Sequence, residues 1–381
     1  MLVMTGQRYI KINLIKIAIA LLTIKYLISS MTIIALPSWF DSMIVGFAMA
    51  VFVLKAVKER FVLKEFLLFG IVSLFVLYTC VQIQEYEFLV NIIALFLLKG
   101  EKFEEYVKMT FRIEFFTISL VFLVTLVMSF CGHYDEFWMY TEERLRFTGG
   151  FVHPNTLASY SFSCILKYIW IQYDCMTKNK YAALLLISCV LYGFTKTRTT
   201  FLITVGFFLL LFISKRETAK NLVEKYLKFL FPALLAAMYY CIKNYVNGNA
   251  VINLFDKFLT GRIRLGSYSY TLSGVTVLPK YLEYKSKGVE WTETWGITSF
   301  TFDSLYSFLL MQLGILWCVL LTVLICQLIK KTNFKGHIFI LIWIAYAMTE
   351  VYGLNCFKVF PAMLFAFLFN KETQDEKAIK N

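Results

Sequence analysis

The sequence predicts an all-α fold, a polytopic integral membrane bundle of about twelve transmembrane helices. The first observation is composition, because 59% of the residues are hydrophobic and only 17% are charged, whereas a soluble protein carries about 25% charged residues. The second is that apolar stretches of about 20 residues, the length that crosses a bilayer, recur along the chain. The third is that lysine and arginine are concentrated in alternate loops between these stretches.

The predicted spans follow one another along the whole chain. They cover residues 12–29, 37–54, 62–80, 86–98, 111–130, 156–173, 181–195, 199–213, 228–243, 303–328, 337–349 and 351–369. The stretches 86–98, 181–195 and 337–349 are short, as re-entrant helices and helices with buried ends are. We therefore predict one membrane domain, residues 1–370, with a large outer loop at 244–302 and a polar cytoplasmic tail at 371–381.

The basic residues predict the orientation of the bundle. Short cytoplasmic loops carry an excess of lysine and arginine, and such loops alternate here with loops at 30–36, 82–87 and 349–355 that contain neither residue. We expect both termini in the cytoplasm. The net charge of +13 is explained by this topology and by attraction to anionic membrane lipids. Because the charges are spread over many loops and form no single patch, we expect no nucleic-acid partner.

Three predicted outer segments break this rule because each contains a basic residue, one spacer and an arginine. The pairs are Arg144 and Arg146, Lys196 and Arg198, and Arg262 and Arg264. In an extended backbone, residues two apart point the same way, so each pair could aim two cations at one target. The planar guanidinium fork suits phosphate oxygens. The alternative is ion pairing, with Glu142 and Glu143 beside Arg144 and Asp256 near Arg262. Three pairs on one face favour an outward-facing anion site.

The residues that follow the first pair suit such a site. Gly149 and Gly150 allow a turn with positive φ and a close approach of the backbone to a ligand. Asn155 and Thr156 are predicted to cap the helix that begins there, whose N-terminus itself favours an anion. His153 is either a hydrogen-bonded interfacial histidine or a ligand-binding or acid/base group.

The large outer loop is rich in aromatic rings, and a carboxylate follows it. The rings are Tyr268, Tyr270, Tyr281, Tyr284, Trp291 and Trp295. Rings at a membrane surface are often interfacial anchors, but a cluster beside Arg262 and Arg264 also offers flat apolar faces to a sugar. Asp303 begins the tenth predicted span, as a helix cap or as a general base. No nucleotide-binding, zinc or calcium motif is present in the sequence, so we expect no cofactor and no metal.

The order of these outer features resembles a known family. Arg-x-x-Gly-Gly-x-x-His-Pro-Asn (146–155) is followed by Thr-Arg-Thr (197–199), Gly-Arg (261–262), and Asp-Ser-x-Tyr with a downstream Leu-Gly-Ile (303–315). This series resembles the Wzy-type oligosaccharide repeat-unit polymerases of the O-antigen polymerase and ligase superfamily. The ligase branch usually shows His-Asn where this chain has Asp303 and Ser304, and the Asp form resembles polymerases of Gram-positive capsule and exopolysaccharide pathways.

The resemblance implies a GT-C-like membrane glycosyltransferase that needs no nucleotide sugar or metal. Such an enzyme transfers a growing glycan from undecaprenyl diphosphate to the next lipid-linked oligosaccharide repeat unit on the outer face of the cytoplasmic membrane. Its expected partners are this lipid-linked substrate, membrane lipids, and a flippase and chain-length regulator of the same pathway. The residues expected to act in catalysis are Asp303, Arg146, Arg198 and Arg262. Those expected to bind substrate are Arg144, Gly149, Gly150, His153, Asn155, Lys196, Arg264, Tyr268 and Tyr306.

Three other functions remain open from the sequence. A ligase-like glycan transferase would share the outer motifs. A flippase or exporter of lipid-linked oligosaccharides would also have about twelve spans, but it should place its cations within the spans, facing a central cavity. A non-catalytic membrane scaffold would not need matched cation pairs on one face.

Overall fold

The computed structural model describes residues 13–58, 63–141, 144–282, 295 and 302–369. Of the residues that the structure describes, 79% are helical and very few are in strands, which confirms the all-α class. The first half contains α1 (Leu14–Ile28), α2 (Ser38–Lys58), α3 (Leu63–Ile83), α4 (Glu87–Leu97), α5 (Phe103–Phe130), α6 (Tyr134–Phe137), β1 (Trp138–Thr141), β2 (Arg144–Phe147) and α7 (Pro154–Gln172). The second half contains α8 (Lys178–Thr195), α9 (Arg198–Ile213), α10 (Glu217–Asn244), α11 (Ala250–Phe258), α12 (Arg262–Ser273), α13 (Leu305–Phe308), α14 (Ile315–Lys331) and α15 (Phe334–Ala347). Short 3₁₀ segments follow α7, α10 and α15, and the described chain ends in the 3₁₀ helix Phe360–Phe369.

Three described helices are long and apolar enough to cross a membrane. They are Ser38–Lys58, Phe103–Phe130 and Glu217–Asn247. Five further apolar helices are shorter, namely Phe69–Ile83, Glu87–Leu97, Arg198–Ile213, Phe334–Ala347 and Phe360–Phe369. Large apolar side chains also cover the outside of the bundle, where Val57 is 80% and Phe130 84% exposed. Such a surface is typical of a protein whose solvent is lipid. The count of about twelve spans stays a prediction.

The structure adds detail to two predicted segments. The tenth span, 303–328, is not one helix. It is α13, a π-helical turn at Leu309–Leu313, a break at Gly314 and then α14. The predicted outer loop 244–302 is helical over much of its length, because it contains α11 and α12. Residues 283–294 and 296–301, with Tyr284 and Trp291, lie outside the described residues, as do Glu142, Glu143 and the tail.

Loops and helix ends that the charge pattern places on the same side contact each other. On the predicted outer side, the N–H of Thr32 donates to the carbonyl of Gly150 at 2.8 Å. On the predicted cytoplasmic side, Lys16 pairs with Glu105 at 2.6 Å, and Lys55 donates to the carbonyl of Leu97 at 2.9 Å. In these contacts, predicted outer segments meet predicted outer segments, and predicted cytoplasmic segments meet predicted cytoplasmic ones. Alternating loops of a helical bundle should pack in this way.

Candidate functional site

A polar cavity of about 860 Å³ lies among the loops that the charge pattern places outside. Its volume is within the range of small-molecule sites. Its polar lining consists of Glu85, Glu87, Asn91, Arg146, His153, Asn155, Thr156, Tyr281, Asp303, Gln312, Glu350, Tyr352, Asn355 and Lys358. Four predicted site residues, Arg146, His153, Asn155 and Asp303, are thus brought together although they are up to 157 positions apart in the sequence.

Arg146 is fixed at the wall of this cavity by the hairpin of β1 and β2. The strands are antiparallel, with Met139 opposite Arg146, and the Arg146 side chain is buried. Its Nε donates to the carbonyl of Thr195 at 2.8 Å. Its Nη2 donates to Thr197 Oγ1 at 3.0 Å and to Asn155 Oδ1. The guanidinium therefore joins β2, the first turn of α7 and the turn between α8 and α9.

His153, rather than Asn155 or Thr156, caps α7. The helix begins at Pro154, and the ring Nδ1 of His153 accepts the N–H of Asn155 at 3.1 Å. Because Nδ1 is an acceptor, a neutral ring carries its proton on Nε2. The predicted cap at Asn155–Thr156 is wrong because the histidine takes that role, which leaves the amide oxygen of Asn155 to hold Arg146. The positive end of α7 faces the cavity through Thr156.

Asp303 lies just before the broken helix described above. Residues 302–304 are not helical, and α13 begins at Leu305. Gly314 has φ +88°, and a Cβ there would lie 2.7 Å from the carbonyl oxygen of Val277. The segment 274–282 packs against this break, where Ile315 N donates to Thr276 O at 2.9 Å and Lys280 N to Gln312 O at 2.9 Å. The break thus brings Tyr281 and Gln312 to the cavity beside Asp303.

Arg262 lies behind the cavity wall, next to the carboxyl of Glu350, which was not among the predicted site residues. Its Nε donates to the carbonyl of Thr349 at 2.9 Å, and its Nη1 donates to the carbonyl of Leu259 at 2.9 Å and to Thr260 Oγ1. Its Nη2 is 4.0 Å from Glu350 Oε1. Burial raises the pKa of Glu350 to about 8, although Arg262 lowers it, and the negative charge of Asp303 raises it further.

Part of the cavity wall carries acidic and amide groups from α4 and from the segment after α15. Asn355 Nδ2 donates to Glu87 Oε2 at 2.9 Å, and Lys358 Nζ is 3.6 Å from Glu87 Oε1. The same ammonium lies 4.2 Å from the centre of the Tyr352 ring. This wall offers several hydrogen-bonding groups of the kind that sugar hydroxyls use. Sequence reasoning missed it, although carboxylates in lysine-free outer loops were a visible signal.

The three cation pairs differ in backbone conformation, and of their six members only Arg146 lines the cavity. In a helix, residues two apart point about 200° apart, and Arg262 and Arg264 are both helical. Arg264 instead lies beside Asp256, whose carboxylate accepts the Arg264 backbone N–H at 2.9 Å. The alternative interpretation of this motif paired Asp256 with Arg262, and the structure places Asp256 beside Arg264, two residues further along the chain.

Several other predicted site residues do not line the cavity. Lys196 has a left-handed backbone conformation, and its side chain and that of Arg198 are exposed. Arg144 is half-buried and pairs with Thr141 at the end of the hairpin. Tyr268 and Tyr306 are buried, and the Tyr306 hydroxyl donates to the carbonyl of Ile344 at 3.2 Å. These tyrosines pack within the bundle.

Gly149 and Gly150 have the predicted positive φ, but they serve packing. Their φ angles are +58° and +77°, and both residues are buried. A Cβ on Gly150 would overlap the side chains of Ile33 and Thr125. A Cβ on Gly149 would overlap Leu157, so the close approach that needs these glycines is to α7, to the loop after α1 and to α5.

Within the described ranges, no group of three or more His, Cys, Asp or Glu side chains is arranged to hold a metal ion. Comparison of the chain with protein-family models, with curated proteins and with solved structures finds no match.

Proposed function

We propose that this chain is a membrane polysaccharide polymerase. It would transfer a growing glycan from undecaprenyl diphosphate to the next lipid-linked oligosaccharide repeat unit, on the outer face of the cytoplasmic membrane. The observation that carries the proposal is the single cavity in which Arg146, His153 and Asp303 meet. A cation for a diphosphate and a carboxylate for an acceptor hydroxyl are the two groups that this transfer needs.

A second, apolar cavity supports an amphiphilic substrate. It has a volume of about 270 Å³ and lies between α3, α4, α14 and the 3₁₀ helix Phe360–Phe369. Phe88, Asn91 and Leu354 line both cavities, so the apolar one adjoins the polar one. Phe88 and Asn91 belong to α4, which has 11 residues and is about 16 Å long. This helix therefore spans only roughly half of the ~30 Å hydrocarbon core. A lipid-linked glycan could therefore place its polar head and the start of its apolar chain in adjoining spaces.

The proposed reaction is a displacement at the anomeric carbon of the donor sugar. The acceptor hydroxyl oxygen forms the new bond to this carbon, and its proton passes to the carboxylate of Asp303. The bond from the same carbon to the diphosphate oxygen breaks, and the electron pair leaves with the diphosphate. Arg146 stabilises the charge that develops there, and His153 orients the diphosphate or a sugar hydroxyl. The wall of Glu87, Asn355 and Tyr352 faces the acceptor sugar.

The proposal includes the orientation predicted from charge, with about twelve spans, cytoplasmic termini and the cavity facing outward. Labelling of single cysteines in a cysteine-free background tests this orientation. Tyr140 and Val246, on the predicted outer side, are suitable positions because they are 72% and 63% exposed. We expect Tyr140→Cys and Val246→Cys to react with a membrane-impermeant thiol reagent in intact cells. Val57→Cys and Leu222→Cys, at exposed positions of the predicted cytoplasmic side, should react only after lysis. The reverse pattern would place the cavity inside and exclude the proposal.

Reconstitution tests the reaction itself. Purified protein in liposomes, given undecaprenyl-diphosphate-linked repeat units without nucleotide or metal, should produce a ladder of longer lipid-linked glycans. Heat-inactivated protein is the control. Failure to elongate any lipid-linked unit would contradict the proposed function. Transfer of a single glycan to a different lipid acceptor would indicate a ligase, and movement of the units across the bilayer without elongation would indicate a flippase.

A further inference from the structure

Glu350 contributes to the cavity a buried carboxyl oxygen, Oε1, that has no hydrogen-bond partner within the described chain. It follows α15, at the start of the 3₁₀ turn Val351–Leu354, and its side chain is only 8% exposed. A negative charge on a buried carboxyl with one oxygen unpaired is costly, so this position favours the uncharged acid.

Arg262 does not compensate for this cost by direct hydrogen bonding. Its Nε and Nη1 are directed to the carbonyls of Thr349 and Leu259. Only Nη2 faces Glu350, and its 4.0 Å separation from Oε1 exceeds the length of a hydrogen bond. The guanidinium therefore holds the backbone of residue 349, and with it the position of the Glu350 side chain, more than it pairs with the carboxyl.

The charged and titratable side chains near Glu350 belong to several different segments of the chain. Arg262 on α12 favours the ionised carboxyl, whereas Asp303 before α13 opposes it. Tyr346 on α15 and Tyr352 in the 3₁₀ turn are also within electrostatic range of Glu350. Burial outweighs Arg262 and raises the pKa of Glu350 to about 8. A buried carboxyl that is kept neutral near pH 7 can serve as a hydrogen-bond donor in an active site.

We propose that Glu350 is held as a neutral carboxylic acid that donates a hydrogen bond to an oxygen of the substrate diphosphate, while Asp303 is the base. The role of donor rests on the proposed function; the neutral state of the carboxyl does not. The proton stays on Glu350 throughout the transfer, since the acceptor proton passes to Asp303 and the diphosphate leaves as an anion. Ionised Glu350 would instead repel that diphosphate.

The variants Glu350→Gln and Glu350→Ala distinguish the loss of a hydrogen-bond donor from a change in charge. Glutamine keeps a neutral donor, and alanine removes it. At pH 7 we expect the glutamine variant to polymerise at least ~10-fold faster than the alanine variant, the scale of one hydrogen bond to a charged group. The wild type should lose activity as the pH rises through about 8, and this decline should be absent in Glu350→Gln. Glu136→Gln, which alters an exposed carboxyl, is the control and should show the wild-type pH profile.

Thermal unfolding tests the neutral acid without reference to activity. The carboxyl binds a proton more tightly in the folded state than in the unfolded state, where the pKa is near 4.5. Its contribution to stability is therefore complete below pH 4.5 and is lost as the pH rises to about 8. We expect the Tm of the wild type to fall relative to that of Glu350→Gln over this range and to level off above it.

The outcomes are distinguishable. A Tm difference that does not change with pH, or a glutamine variant as inactive as the alanine variant, would show that Glu350 is an ionised partner of Arg262 and would overturn the inference. A pH-dependent Tm difference in a protein that elongates no lipid-linked unit would confirm the neutral acid, but it would overturn both the donor role and the proposed function.

Discussion

Replacement of Asp303 by asparagine is expected to abolish polymer formation in the reconstituted assay. The carboxylate lies in the polar cavity, in the non-helical residues before α13. The break at Gly314 and the segment that packs against it fix this region. Sugar hydroxyls have high pKa values, so the acceptor depends on a positioned base, which typically contributes about 10²–10⁴-fold to the rate. We expect a loss in this range, measured as the initial rate of ladder formation.

Binding of the donor separates this effect from a loss of structure. Because asparagine has nearly the same shape as aspartate, the variant should bind lipid-linked donor and unfold at a temperature close to that of the wild type. Asp135→Asn is the matched control, since Asp135 is also on the predicted outer side but is exposed and does not line the cavity. Full activity of Asp303→Asn would reject Asp303 as the base.

The helical class and the grouping of loops could be predicted because they depend on composition and periodic charge. A chain with this few charged residues cannot cover itself with a polar surface, and the alternation of lysine-rich loops does not depend on how helices pack. The loops without lysine or arginine at 82–87 and 349–355 do meet the segments 144–155 and 302–304 around one cavity. Boundaries were harder, because a glycine break such as Gly314 leaves the hydropathy of a span unchanged.

The pairing of arginines could not be predicted, because it depends on local backbone conformation. The argument from extended backbone applies to Arg144 and Arg146 on β2. It fails for Arg262 and Arg264, which lie on a helix, and Arg198, in the first turn of α9, is exposed and does not line the cavity. Spacing in the sequence was the same in all three cases, and the side-chain directions differ.

The acidic wall was missed for a related reason. Glu85, Glu87 and Glu350 lie at the ends of spans, where single carboxylates are common as helix-terminal charges. Their convergence requires the packing of α4 against the C-terminal segment, in which Cys356 N donates to Asn91 Oδ1 at 2.8 Å. Such long-range contacts have no local sequence pattern.

Arg146→Lys is expected to lower polymer yield at least ~10-fold, because one guanidinium makes contacts that one ammonium cannot reproduce. Its nitrogens reach Thr195 O and Thr197 Oγ1 in the turn between α8 and α9, and Asn155 Oδ1 in the first turn of α7. Lysine keeps the charge but is a compact point donor without the planar fork. It would therefore lose either the anchoring contacts or the two-point approach to a diphosphate oxygen pair. The initial rate and the affinity for undecaprenyl diphosphate measure the effect.

Arg198→Lys is the matched control for this substitution, and it makes the prediction specific. Arg198 is in the neighbouring turn and on the predicted outer side, but it is exposed and does not line the cavity. If total positive charge near the membrane surface attracts the substrate, both variants should keep wild-type activity, because both keep the charge. If a fixed guanidinium in the cavity binds the diphosphate, only Arg146→Lys should fail, and its affinity for the diphosphate should fall with its rate. Normal polymer from Arg146→Lys, in protein that unfolds at the wild-type temperature, would exclude Arg146 as the diphosphate ligand.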